Sequence, residues 1–309
     1  MAKILRNIDQ IIDTQGNELS VANPVEIPPP VLSFRNKLIN GNFDVWQRSE
    51  DITNGNNSWG IYTADRWWHN KGRSQKITDV VDGQTVNVLR ISDEGQGYNG
   101  GRGLFQNIEN YRYEKTVTLS AWIKASQAST INFGFVYDHT ETARINDDFF
   151  IDVTTSWQKF TRTFKTTVPA LGTSNQYIIN NLTDGVTYDI TMIQLEEGEV
   201  ATPFEHRPYG LELSLCQRYF CKGWFGKWYG VPQAAGYFVG CSVTWPVEMR
   251  NTPTVKTTDF YSGDLTNFTD TSKVGLIDVR KDGAWFWARP EKPTGNVFVR
   301  VKFDIDAEL

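Results

Sequence analysis

The chain has 309 residues, with 31 basic against 36 acidic groups, enough for one large or two ordinary domains. That mildly acidic balance leaves no basic footprint for nucleic acid. No window approaches the roughly 20 apolar residues of a membrane span, and "MAKILRNIDQIIDTQG" has no signal-peptide core, so a soluble, cytoplasmically made chain without membrane insertion is expected.

Residues 1–36 stand apart. "ILRNIDQIID" leads through a polar stretch into Pro28-Pro29-Pro30, which favours an extended polyproline run. An arm and a stiff linker are expected. From residue 37 to 207 the pattern is strand after strand. In "TVTLSAWIKAS" Val117, Leu119, Ala121 and Ile123 point one way, and Thr118, Ser120, Trp122 and Lys124 the other. "TINFGFVYD" follows at hairpin spacing, "FFIDVTTSWQKFTRTFKTT" gives two more strands, and Asp184-Gly185 marks a turn between another pair. Many short strands without helical periodicity imply a sandwich or jelly roll.

Residues 208–221 then change character. Pro208 biases Arg207 to an extended backbone. "LELSLCQRYF" places Leu211, Leu215 and Tyr219 on one helical face, with Cys216 and Phe220 beside it, as a short linking helix. Strand patterns resume over residues 222–309, with Asp282-Gly283 as the clearest hairpin signal. The expected fold is all-β: an extended N-terminal arm, a jelly-roll β-sandwich, a short helix and a second, smaller β-sandwich domain.

The strings "KLINGNFDVWQRS", "YTADRWW", "LSAWIKAS", "TSWQKFTRTF" and "IQLEEGEVATPFEHRPYGLELSLCQRYF" resemble phage tail-fibre and related virion receptor-binding proteins. The likeness spans roughly residues 37–221, and "PVEMRNTPTV" resembles a motif of their C-terminal part. It implies a jelly roll like a carbohydrate-binding module, a homotrimer, a virion location, tail or baseplate attachment through residues 1–36, and host surface polysaccharide as partner. "LINGNFD" also resembles the start of secreted carbohydrate-binding modules, which often hold a structural calcium. Asp44 matches their first acid, but Met192 and Ile193 stand near the expected aspartate, with Asp189 or Glu196 as substitutes. Calcium is therefore left open, and no other cofactor is expected.

Catalytic chemistry finds little support. Acids such as Asp147-Asp148 and Glu196-Glu197 suit solvated turns as well as a glycosidase pair. The three histidines, His69, His139 and His206, lack metal-ligand spacing, and Cys216 and Cys221 are too far apart for a CxxC site. Within Glu205-His206-Arg207, neighbours in an extended segment point to opposite sides, so Glu205 and Arg207 pair structurally, within the chain or across a trimer, while His206 faces away. No catalytic residue is assigned.

The aromatic residues offer more. Trp67, Trp68, Trp122 and Trp157 sit on or beside strands and suit core packing. "GWFGKWYG" reads as a glycine-rich loop that cannot bury Trp224, Phe225, Trp228 and Tyr229 by itself. In "DGAWFWARP" Trp285 and Trp287 share one strand face and Phe286 takes the other. Trp224, Trp228, Tyr229, Trp285 and Trp287 are candidate sugar-stacking residues, or parts of a core or of a seam between subunits. Leu211, Leu215, Tyr219, Glu205 and Arg207 are candidates for a trimer interface. The expected function is non-covalent adhesion to host glycan, with a tail adaptor or a glycan depolymerase as alternatives.

Overall fold

The structure, a computed structural model, describes residues 34–54, 60–93, 102–109, 115–140, 143–146, 149–165, 175–230, 237–262, 274–290 and 297–308. The arm expected over residues 1–36 lies outside them up to residue 33, as does the acid pair 147–148. Residues 35–309 form one compact unit, and the described residues are nearly all β with one short helix.

The jelly roll is built from two sheets. One runs in the order β1 (Asp51–Asn54), β4 (Gly72–Val81), β5 (Gln84–Ser92), β13 (Tyr188–Glu197), β7 (Thr116–Ala125) and β11 (Gln158–Lys165). The other runs β10 (Phe150–Val153), β8 (Ser129–Thr140), β12 (Asn175–Leu182), β6 (Arg102–Ile108), β3 (Trp68–His69) and β2 (Ile61–Tyr62), with β9 (Ala143–Asn146) beside β8. The alternation of β7 holds: Val117, Leu119, Ala121 and Ile123 are fully buried between the sheets. They meet Phe133 and Ile131 of β8, and Trp67 joins the same core.

Two expected hairpins, and the connection between the two strands that lie between them, are instead arches. β7 and β8 lie in different sheets, as do β10 and β11, and β12 and β13. Asp184-Gly185, with Gly185 at φ 76°, carries the chain from one sheet to the other. The tight hairpin of the jelly roll is β4–β5, closed by Asp82-Gly83 at φ 50° and 75°, both left-handed as a two-residue turn of this twist requires.

The helix α1 (Tyr209–Gln217) follows Pro208 and stops short of the expected residue 221. Tyr219 and Phe220 leave it because two guanidinium groups of the jelly roll hold their rings. Arg66 lies 3.4 Å from the Tyr219 ring centroid and Arg48 lies 3.6 Å from that of Phe220. The same arginines reach the end of the chain. Arg66, 1% exposed, pairs with Glu308, and Arg48 bonds Asp306 at 3.2 Å. The Ala307 amide donates to Tyr219 O at 2.7 Å. Charge pairs and backbone bonds thus fix the second domain to the first.

Asp65 lies beneath this joint, fully buried, and accepts from the Gln47 backbone and side-chain amides. Burial pushes its carboxyl up to about 6, against those hydrogen bonds. A carboxyl that holds its proton more tightly when folded stabilises the fold below about pH 4, and that contribution fades as pH rises through 6. Asp65→Asn should therefore lose stability relative to the parent on going from pH 7 to pH 4, by about 3 kcal/mol at most. Urea unfolding at both pH values checks it, and a difference independent of pH would refute it.

The second domain packs two three-stranded sheets. One is β14 (Phe220–Gly230), β19 (Val297–Asp306) and β16 (Thr254–Ser262); the other is β15 (Val239–Thr244), β18 (Gly283–Ala288) and β17 (Val274–Ile277). Val299, Val301, Phe303 and Ile305 of β19 are fully buried and meet Phe286 of β18. Gly283 is fixed by proximity, since a Cβ there would stand 2.2 Å from Val243 O. No helix among the described residues is long and apolar enough to cross a membrane.

Candidate functional site

The charged trio forms a clasp within one chain. Glu205 accepts from the Arg35 and Asn36 amides at 3.3 and 3.0 Å. Arg207 donates to Leu38 O at 3.1 Å and to Asn36 O, and pairs with Glu205 at 3.3 Å and Glu212 at 3.2 Å. Glu212 also accepts from the Asn40 amide at 2.5 Å, and burial raises its carboxyl against the pull of Arg207. His206 points away, exposed, edge-on to Phe204. Glu205 and Arg207 are thus used inside the chain, tying the last jelly-roll segment to its first.

The other candidates for a subunit seam are divided. Tyr219 is buried under Arg66, outside the helix. Leu211 and Tyr209 on α1 are exposed, Leu215 is half-buried, and the buried residues of the helix are Glu212 and Cys216. The helix therefore turns a polar side inward and leaves leucine outward. Cys216 and Cys221 are buried free thiols, and burial pushes Cys221 up to about 12, so neither is poised as a thiolate.

Asp44, the calcium candidate, accepts from the Asn42 and Asn87 side-chain amides, both at 2.6 Å. Met192 sits at φ 52° in the register shift of β13, and Asp189 is committed to Arg90 at 2.7 Å. No group of three metal-ligating side chains occurs among the described residues.

"GWFGKWYG" is a strand rather than a loop. β14 pairs with β19 throughout, with a register shift between Gly223 and Gly226. The bulge restarts the alternation and distributes the rings over two faces. Gly226 faces inward, where a Cβ would stand 2.5 Å from the Phe286 ring. Trp228, two residues on, shares that inner face and packs partly against the core, so it is not a surface ring. Trp224 and Tyr229 face out.

The sheet on the other side presents a flatter surface. Trp285 is 44% exposed and Trp287 half-buried, with Phe286 fully buried between them, as alternation requires. Glycines make the floor. A Cβ at Gly275 would come within 3.0 Å of the Trp287 indole, and one at Gly240 within 3.0 Å of the Trp285 indole nitrogen. Phe238, also exposed, meets Trp287 edge-on at 5.3 Å. Beside Trp285 a cleft of about 230 Å³ is lined by Ser242, Thr244, Asp278, Arg280 and Asp282. An exposed ring next to paired acidic and guanidinium groups can stack on the C–H face of a sugar and hydrogen-bond its hydroxyls.

The jelly roll carries a further surface pair that was expected in the core. Trp122 lies on the outer face of β7 and borders a groove with Lys159, His206 and Phe204. Trp157 donates to Asp79 at 3.1 Å and lies 4.9 Å from the Lys124 ammonium. The polar alternation of Thr118, Ser120 and Lys124 is the sequence signal that places Trp122 outside.

No protein-family model matches the chain, and no curated protein matches it. Among solved structures, the CBM22-2 xylan-binding domain of Paenibacillus barcinonensis Xyn10C is similar at 15% identity, over 43% of this chain and 92% of that one, with a TM-score of 0.32. The family 11 carbohydrate-binding module of Clostridium thermocellum is similar at 14% identity, over 48% and 94%, with a TM-score of 0.30. The N-terminal cellulose-binding domain of Cellulomonas fimi β-1,4-glucanase C is similar at 18% identity, over 41% and 90%, with a TM-score of 0.30. At such distances no ligand transfers from these domains to this chain.

Proposed function

We propose that the chain is a phage tail-fibre protein that adheres to host surface glycan without covalent chemistry. Residues 1–36 would dock to the tail or baseplate, and the second domain would meet the host. The observation that carries the adhesive part is the Trp285–Trp287 platform, laid on glycine and bordered by the Asp278–Arg280 cleft. The virion role rests on the sequence resemblance. The homotrimer belongs to the same sequence resemblance, and a second and third copy would cover Tyr209 and Leu211, which α1 leaves exposed. Three linked weak sites raise effective concentration and hence avidity.

Binding of the full chain to immobilised host polysaccharide tests the proposal. Trp285→Ala with Trp287→Ala should weaken binding about tenfold or more, since each aromatic contact is worth about 0.5–1.5 kcal/mol. Unchanged binding would remove the platform from the mechanism. Release of reducing ends from the same polysaccharide would favour a depolymerase. Absence of any host binding would favour an adaptor. Light scattering that returned 35.2 kDa rather than three times that mass would remove the trimer.

A further inference from the structure

We propose that the outer face of the β14–β19–β16 sheet is a second binding site, for a carboxylate-bearing sugar residue. This face is formed by a different sheet from the Trp285 platform and stands independently of it.

The inner face of β19 is all core, so Phe298, Arg300, Lys302 and Asp304 project from the other side. Arg300 lies between two rings, 4.6 Å from the Trp224 centroid and 5.1 Å from that of Tyr261. Its register partners are Lys227 on one side and Tyr261 on the other. Two cations thus stand directly opposite each other, a pairing that destabilises a sheet unless something anionic joins them. Among the described residues neither has an ion-pair partner, and the Arg300 Nε is buried without a hydrogen bond. Further along the same face Lys222 is within 3.9 Å of Asp304, so the sheet pairs its charges elsewhere.

The rings supply the rest. Tyr229 is 67% and Tyr261 51% exposed, and Phe298 holds Tyr261 edge-on at 6.1 Å. A planar guanidinium braced by aromatic faces presents a fork that matches a carboxylate. The tyrosines beside it offer ring faces for the C–H side of the same sugar. A neutral glycan would leave both cations unanswered, whereas a uronic or sialic acid residue satisfies cation and ring together.

Titration calorimetry on the full chain tests this, with a galacturonate tetramer and 3′-sialyllactose as probes, each beside its carboxyl-reduced form. At least one acidic probe should bind about tenfold more tightly than its reduced counterpart, with an advantage that shrinks as salt is raised. Arg300→Met should abolish that advantage. Lys227→Met, at an exposed position, should reduce it without risk to the fold, and Trp285→Ala should leave it intact. Equal binding of acidic and reduced forms overturns the proposal, as does no binding of either acidic probe up to about 10 mM. Retention of the advantage in folded Arg300→Met also overturns it. Stronger competition by galactose 6-phosphate than by either carboxylate would reject the carboxylate assignment.

Discussion

Replacing Arg66 by methionine should destabilise residues 35–309 by about 3–5 kcal/mol, the range for removing one member of a buried ion pair. The arginine is 1% exposed and its partner Glu308 4%, so the change leaves that carboxylate away from water with only Arg48, 3.6 Å off, to answer it. It also removes the donor to Asn107 O at 2.6 Å and the cation over the Tyr219 ring. Arg66→Met combined with Glu308→Gln should recover part of the loss, because the stranded charge disappears with it. Thermal unfolding followed by tryptophan fluorescence measures both. A single mutant within about 0.5 kcal/mol of the parent would mean that the joint is held by backbone bonds and packing alone.

Arg207→Met is expected to have a comparable effect through a different route. Its guanidinium stands between Glu205 and Glu212, whose side chains are 8% and 5% exposed, and it donates to two carbonyls of the first segment. Removal leaves two carboxylates facing each other, again about 3–5 kcal/mol. Adding Glu212→Gln should restore more than adding His206→Ala, since His206 has no part in the network. Proteolysis gives a second readout: the bond after Arg35 should become cleavable by trypsin well before the sandwich unfolds. Equal protease resistance in mutant and parent would show that the clasp is dispensable.

Strand content and the two-faced pattern of β7 were legible because period-2 alternation is a local property. Which strands pair was not. The 126–128 connection is as short as a hairpin loop, yet it crosses between sheets, and it has no residue at positive φ to turn the chain back. Asp82-Gly83 does carry that signal, and there the dipeptide means what it says. Asp282-Gly283 also stands in a hairpin, between β17 and β18, but its glycine is at no positive φ and answers to the close approach of β15. The surface set was legible in part. Trp285 and Trp287 share a face as alternation dictates. Trp228 was lost to the core because a bulge in β14 depends on its partner β19, 70 residues later. Arg300 gave no local sign, since its isolation appears only when residues 224, 227 and 261 are brought beside it. The clasp was half visible: Pro203 and Pro208 indicated an extended segment, but nothing in the string named residues 35–40 as its partners.

That clasp also sets how the chain carries load. The first and last segments of the jelly roll meet where Asn36, Leu38 and Asn40 bond Glu205, Arg207 and Glu212. A pull between residue 35 and α1 therefore loads this short seam together with the bonds of the same segment to β13, Lys37 N–H to Leu195 O and Ile193 N–H to Gly41 O, both 2.8 Å. Several short polar bonds loaded together, in shear, resist far better than the same bonds opened one at a time. Under the proposed adhesion, tension between particle and cell would be shared by Arg207 and these backbone bonds.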